Sequence, residues 1–100
     1  MKEKNIMAVY RITRFAASDM DKAGAFIEDF RDVLEGIEAD FIDLVSYGNG
    51  KGVVIAKYPN QATMDSAADA AKQLFDQMIE GGVVEADSVH PHTGEVFKSF

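Results

Sequence analysis

Apolar residues recur along this chain with two different periods, and each change of period marks the boundary of a predicted element. From Ile6 to Phe15 the chain is rich in β-forming residues and apolar on both alternating sets of positions, which predicts a strand covered on two faces. Ser18 and Asp19 then resemble a helix N-cap. A stripe at spacings of three and four predicts a helix ending near Gly36, with Met20, Ala23, Ile27, Phe30, Leu34 and Ile37 on its apolar side.

Two more β-like runs, 41–47 and 52–58, flank the segment Gly48-Asn49-Gly50-Lys51. Glycine and asparagine accept the positive φ angles of a tight turn, so this segment predicts a hairpin. Four consecutive apolar residues in the second run favour a central strand with both faces buried. Asn60 follows Pro59 and is the predicted N-cap of a second helix, which ends at Gly81-Gly82.

The last part of the chain predicts a more polar strand over 83–89 and a short strand at 95–97, with Pro91 at a sheet edge or strand end. The element order is then β-α-β-β-α-β. Right-handed split βαβ connections convert this order into a ferredoxin-like plait, an α+β fold in which two helices cover one face of a four-stranded antiparallel sheet. We expect residues 1–100 to form one such domain.

The first and third strands would be central in this sheet, and both are apolar on two faces. The two helices can cover only one of those faces, and a chain of 100 residues has no further layer to offer. An uncovered apolar face is typical of an interaction surface. The sequence therefore predicts a homodimer whose sheets pack face to face.

Composition narrows the class of partner. The chain has 10 basic and 17 acidic residues, net charge −7, which disfavours nucleic acid and anionic membrane surfaces. The absence of cysteine excludes disulfides, thiolate metal sites and thiol catalysis. The apolar run from Ile6 to Arg11 is too short for a signal peptide or a membrane span, so the cytoplasm is the expected compartment.

A family resemblance runs from the Ile6-Met7-Ala8-Val9 strand, through the segment 53–60 and the alanine-rich second helix, to Gly94-Glu95-Val96. In these residues the chain resembles the dimeric α+β barrel proteins, and within them the antibiotic-biosynthesis-monooxygenase-like and stress-responsive barrel groups. The resemblance implies a dimeric α+β barrel. It also implies a pocket for a small aromatic or otherwise hydrophobic metabolite, with cofactor-independent oxidation as one activity of the family.

The haem-degrading members of that family hold iron with a histidine on the second helix and use a tryptophan near the ring. The second helix here has no histidine and the chain has no tryptophan, so haem degradation is disfavoured and no cofactor is predicted. Quinone-forming members let a phenolic substrate react with oxygen directly. For them the protein supplies a pocket and groups that deprotonate the phenol.

The candidate catalytic residues are Tyr58, His90 and His92. Residues i and i+2 of an extended chain point the same way, so the two imidazoles of His90-Pro91-His92 could line a pocket mouth or share a metal ion. No spacing nominates a third ligand, and we predict no metal site. The alternative is a pair of surface histidines at an edge or dimer contact. Tyr58 is either a core tyrosine or a phenol that orients a ligand.

The candidate pocket residues are Tyr10, on a predicted central strand, and Phe30 and Phe75, on the two helices. Aromatic residues at helical spacing are typical of a core, yet flat rings also suit an adaptable apolar pocket. Three charged residues interrupt the apolar strands, and we expect salt bridges across the sheet or at the dimer interface for Arg11, Asp43 and Lys57. The acidic run between Glu28 and Asp43 is expected to lie on a solvated face.

Two functional hypotheses follow. The first is a homodimeric barrel that binds a small hydrophobic metabolite and oxidises it without a cofactor. The second is a non-catalytic dimer that binds a metabolite or a partner protein.

Overall fold

The computed structural model describes residues 8–100, so Ile6 and Met7 of the predicted first strand lie outside the described residues. Its strands are β1 (Val9–Ala16), β2 (Phe41–Gly48), β3 (Lys51–Tyr58) and β4 (His90–Glu95). Its helices are α1 (Met20–Asp29), α2 (Arg31–Glu35) and α3 (Gln61–Glu80), followed by a 3₁₀ turn at Ala86–Ser88.

The four strands form one antiparallel sheet in the order β2-β3-β1-β4. The two central strands are β1 and β3, as predicted, and they pair over their whole length from Val9 opposite Tyr58 to Ala16 opposite Lys51. This order, with the helices in their crossover positions, is the ferredoxin-like plait that the element pattern predicts.

The hairpin between β2 and β3 is confirmed, and its backbone explains its composition. Gly48, Asn49 and Gly50 have φ angles of 90°, 58° and 75°, a region in which only glycine and, less often, asparagine are comfortable. The turn is also tied to the end of β1, because the Ala17 N–H donates to the Gly50 carbonyl at 2.6 Å.

The first helix begins where predicted, with the Asp19 carboxylate accepting from the N–H groups of Asp21 and Lys22. It does not run unbroken to Gly36. Phe30 adopts φ −89° and ψ 4°, and its N–H donates to Ile27 three residues back, so the last turn tightens and the chain restarts as α2. The apolar stripe continues through this break, which is why periodicity alone predicts one helix.

The second predicted helix is confirmed as α3. The Asn60 side chain accepts from the Thr63 N–H at 2.8 Å, and the helix ends at Gly81 and Gly82, the latter with φ 72°. The buried residues of α3 form one stripe against the sheet: Met64, Ala67, Leu74, Phe75 and Met78.

The predicted strand over 83–89 is wrong. The N–H groups of Val83 and Val84 both donate to the Met78 carbonyl, at 2.9 and 3.2 Å, so they close the end of α3 instead of starting a ladder. A single bridge joins Ala17 to Val84. Ser88 then hydrogen-bonds the Glu85 carbonyl through its hydroxyl at 2.6 Å, which favours a turn.

The fourth strand is instead β4, and the predicted strand at 95–97 is wrong beyond Glu95. β4 contains Pro91 and lies at an edge of the sheet, where the missing N–H of proline is tolerated. His90 lies opposite Arg14 and His92 opposite Ile12.

The helices cover one face of the sheet. On that face Phe15 packs with Phe75 and Met78 in the larger core cluster, and Val9 and Tyr58 pack with Met64 in a second cluster. Side chains alternate along a strand, so the residues between them lie on the other side. We call this side the open face, and its members are Tyr10, Ile12, Arg14, Phe41, Asp43, Val45, Val53, Ile55, Lys57, His90, His92 and Gly94.

Candidate functional site

A groove of about 470 Å³ lies between the first two helices and the β2-β3 half of the sheet. Its walls are mostly aliphatic, and Gly24 of α1 faces Leu44 of β2 across it. A Cβ atom added at Gly24 would make an ordinary van der Waals contact, 4.0 Å from the Leu44 Cδ2 atom, so one methyl group fits at this point. The aliphatic lining residues are Ile27, Leu34, Ile37, Ala39, Ile42, Leu44, Val54 and Leu74.

The rim of this groove is charged. Arg31 donates from Nε and Nη2 to the two carboxylate oxygens of Glu28, the second at 2.9 Å, and its Nη1 lies 3.9 Å from Glu35. The hydrogen bond from Arg31 lowers the pKa of the Glu28 carboxyl below its usual range. All three side chains are well exposed, so these pairs contribute little to stability. They leave a polar mouth on an apolar interior, an arrangement typical of ligand sites.

The predicted catalytic residues do not meet in this groove. Tyr58 is 2% exposed and lies on the helix-covered side of β3, packed in the cluster with Met64. Burial raises the pKa of its hydroxyl, and the nearby Arg11 guanidinium opposes that effect. His90 and His92 are exposed and lie on the open face of β4, on the other side of the sheet. Their catalytic roles stay predictions.

The predicted pocket residues are also divided. Phe75 packs edge-on against Phe15, with ring centroids 5.8 Å apart, and belongs to the core. Phe30 packs against that core at the break between the first two helices. Tyr10 lies on the open face, where its ring meets Phe41 edge-on at 6.2 Å. None of the three predicted residues lines the groove. Phe41, which packs against Tyr10, does line it.

Tyr10 and His92 do come together elsewhere. They line a shallow depression of about 370 Å³ on the open face, over Gly94 of β4. Tyr10 lies opposite Gly94 in the β1-β4 register, so the missing side chain of the glycine leaves the space beside the tyrosine ring. Of the sequence-predicted site residues, these two are the pair that the structure places in one site.

Salt bridges across the sheet do not form among residues 8–100, where no partner within 4.0 Å is found for Arg11, Asp43 or Lys57, and the expected salt bridges at the dimer interface stay a prediction. The Nε atom of Arg11 is buried and makes no hydrogen bond within that range of the chain. The prediction for the acidic run is confirmed, since every carboxylate from Glu28 to Asp43 belongs to an exposed residue.

The residues that sequence reasoning missed are the aliphatic walls of the groove. Gly24 is the signal that was available: glycine inside a helix is about 1 kcal/mol less favourable than alanine, so it points to a close approach or a space that the fold keeps.

Within the described part of the chain, no three His, Asp or Glu side chains are grouped closely enough to hold a metal ion. No helix of that part is long and apolar enough to cross a membrane.

Comparison with known proteins supports the fold. No family model matches the sequence, and no curated protein matches it. A protein of unknown function from Nitrosomonas europaea superposes with a TM-score of 0.70 at 10% identity, over 97% of this chain and 96% of its own. A dimeric ferredoxin-like protein from an uncultured marine organism superposes with a TM-score of 0.65 at 10% identity, over 94% and 91%.

The chain is therefore an α+β protein of the ferredoxin-like class, with a four-stranded antiparallel sheet and its helices on one face. Both similar structures extend over nearly the whole chain, so the likeness applies to the complete sheet and its helices.

Proposed function

We propose that this protein is a homodimer whose subunits each bind one small apolar molecule in the groove between α1-α2 and the sheet. The observation that carries the proposal is the groove itself, about 470 Å³ with aliphatic walls and a charged rim. Sites for small molecules have volumes of about 300–1,000 Å³ and combine apolar walls with few polar groups. The bound molecule would place its apolar body against Leu44 and its polar end near Arg31.

The homodimer is supported by the open face. Ile12 on β1 and Phe41 and Val45 on β2 are 38%, 39% and 38% exposed there, and these two strands flank β3. Exposed apolar side chains that share one face of a sheet are typical of a protein-protein interface. The ferredoxin-like protein from the marine organism is described as dimeric, which agrees with this proposal.

Filling the groove should weaken binding while the protein stays folded. We expect Gly24→Leu to weaken binding of 1-naphthol, a neutral bicyclic probe, at least tenfold, because the new side chain extends toward Leu44 into the space the probe needs. The measurement is a fluorescence titration, with circular dichroism to confirm the fold.

Gly24→Ala is the matched control. Its single methyl group makes an ordinary contact at 4.0 Å, and alanine stabilises a helix by about 1 kcal/mol relative to glycine. We expect this variant to melt at a higher temperature and to bind the probe within threefold of the parent. Equal binding by parent and Gly24→Leu would show that the groove is not the site.

Oxidation of the bound molecule is the second candidate function, which the resemblance to monooxygenase-like barrels implies. The observation that favours it is Tyr58, a buried phenol beside a guanidinium. Against it, Tyr58, His90 and His92 lie on two sides of the sheet and outside the groove. Binding without turnover is therefore the function that the geometry supports better.

We expect oxygen uptake with a model hydroquinone to match the rate in protein-free buffer. The measurement is an oxygen electrode trace with parent, Tyr58→Phe and His90→Ala proteins. A parent rate above buffer that falls in either variant, with the dimer intact, would instead assign the oxidation to these residues.

A further inference from the structure

The groove between α1-α2 and the sheet has three charged side chains among the lining residues of the described chain, Glu28, Arg31 and Glu35. The other lining residues within that part are aliphatic, glycine or phenylalanine. Ligand sites fix the orientation of a mostly apolar molecule through a few polar groups of this kind. The charge state and the contacts of these three side chains therefore decide which polar end the groove accepts.

Arg31 is already engaged by a neighbouring carboxylate. Its Nε and Nη2 groups donate to the two carboxylate oxygens of Glu28, the second at 2.9 Å. This two-bond arrangement suits the planar guanidinium and the carboxylate best. The hydrogen bond from Arg31 also holds the pKa of the Glu28 carboxyl below its usual range, so the pair stays ionised and its charges cancel. An anionic ligand would have to displace Glu28 before it could reach the guanidinium.

Glu35 is the lining carboxylate that this pair leaves available. Its Oε2 atom lies 3.9 Å from the Arg31 Nη1 atom, which is beyond hydrogen-bond distance. The side chain belongs to the last residue of α2 and is exposed at the mouth of the groove. An ionised carboxylate only accepts hydrogen bonds, and it accepts them most strongly from a donor that carries positive charge.

The distribution of charge along the chain has the same sign. The segment from Glu28 to Asp43 contains most of the groove's lining residues, and it holds seven acidic residues and one basic residue, Arg31. The rest of the chain holds ten acidic and nine basic residues, so nearly all of the net charge of −7 belongs to this segment. A mouth surrounded by negative charge raises the local concentration of cations and repels anions.

We propose that the groove binds a hydrophobic amine, an apolar molecule with a cationic nitrogen, whose ammonium group lies against Glu35. This inference rests on the groove site proposed above and names the class of its ligand. The apolar body packs on the aliphatic walls near Leu44, while the ammonium group stays at the mouth and remains partly hydrated. A charge at the mouth of an apolar groove avoids the cost of complete desolvation.

The test compares three probes that share a naphthylmethyl body and differ in the polar end: 1-naphthylmethylamine, 1-naphthalenemethanol and 1-naphthylacetate. At neutral pH they are a cation, a neutral alcohol and an anion. Fluorescence titration at low ionic strength should show the amine binding about threefold more tightly than the alcohol and about tenfold more tightly than the acetate, as suits one exposed carboxylate. The preference should shrink in about 0.5 M salt, which screens charges at the mouth.

Glu35→Gln removes the carboxylate and keeps the size of the side chain. We expect it to reduce the preference for amine over acetate to about threefold or less and to leave the alcohol within about twofold. The matched control is Glu95→Gln, the same change at an exposed residue of β4, the sheet edge opposite β2, and it should keep the full preference. Arg31→Gln leaves Glu28 without its cation, so it should strengthen binding of the amine.

Three results would overturn the proposal, and they are distinguishable. Acetate that binds as tightly as the amine would show that the groove does not select a cation, and loss of that binding in Arg31→Gln would assign an anion to Arg31; the groove site stands in both cases. Equal loss of preference in Glu35→Gln and Glu95→Gln would show that the overall charge of the chain attracts the amine. Amine and alcohol titrations unchanged by Gly24→Leu would remove the groove site and this inference together.

Discussion

Gly50→Ala should be the most destabilising single substitution in the β2-β3 hairpin. An alanine at this position would adopt φ 75° and place its Cβ atom 2.4 Å from the Ala17 carbonyl oxygen. The left-handed conformation alone is unfavourable for alanine by about 1–2 kcal/mol. The contact must be relieved as well, and the hydrogen bond from the Ala17 N–H to the Gly50 carbonyl would be disturbed with it.

We expect a loss of about 3 kcal/mol or more in the free energy of unfolding, which combines the conformational term with the disturbed backbone contact. In a domain of this size that loss corresponds to a melting temperature lower by roughly 12 °C or more. Thermal and urea unfolding followed by circular dichroism would measure it.

Gly48→Ala distinguishes the cost of the positive φ angle from the cost of the disturbed contact with Ala17. Gly48 has a similar positive φ of 90°, but a Cβ atom there meets nothing within 4 Å. We expect this variant to lose only the conformational term, about 1–2 kcal/mol. Equal losses for the two variants would show that the approach of the turn to Ala17 does not contribute.

The same hairpin shows which parts of the fold can be read from the sequence. Gly48-Asn49-Gly50 and Asn60 act locally: positive φ angles and a capping side chain need only their nearest neighbours. The turn and the helix start can therefore be predicted from these residues without knowledge of the rest of the chain. The β-α-β-β-α part of the order was predictable for this reason.

The last strand was not predictable in the same way. Val83 and Val84 are good β formers, yet they close the end of α3 and are buried beneath it. His90-Pro91-His92 has weak β propensity, yet it pairs with β1 because that strand has a free edge. Strand formation depends on the strand that is available for pairing, so tertiary context overrode the local preference twice between residues 83 and 92.

The candidate site was the least predictable part. Aromatic and titratable residues attract attention as functional groups, and Tyr58 and Phe75 indeed lie in the interior, but as core. The groove is made by aliphatic residues such as Leu44 and by the absence of a side chain at Gly24. An empty space between side chains leaves no pattern in the sequence, apart from the glycine at position 24 that helps to form it.

Ile12→Asp should convert the proposed homodimer into folded monomers. Ile12 lies at the centre of the open face, opposite Ile55 on β3 and His92 on β4. It is 38% exposed in the single subunit, so a carboxylate there can remain solvated and the subunit should fold. In a face-to-face dimer the same carboxylate would be buried without a partner, and twofold symmetry would bring a second one into the interface.

The expected loss of affinity is at least 100-fold, since an uncompensated buried charge costs about 3–5 kcal/mol and each tenfold change is about 1.4 kcal/mol. Sedimentation velocity across a concentration series would show the change in mass, and thermal unfolding at low concentration would confirm that the monomer is folded.

Val33→Asp is the matched control for this experiment. Val33 is 46% exposed, it lies on α2 on the helix-covered side, and the substitution adds the same single negative charge to a chain of net charge −7. General repulsion between acidic chains would weaken both variants alike, whereas burial of the open face predicts a loss for Ile12→Asp alone. A dimer that tolerates aspartate at position 12 but not at 33 would place the interface on the helices and leave the apolar open face without its proposed partner.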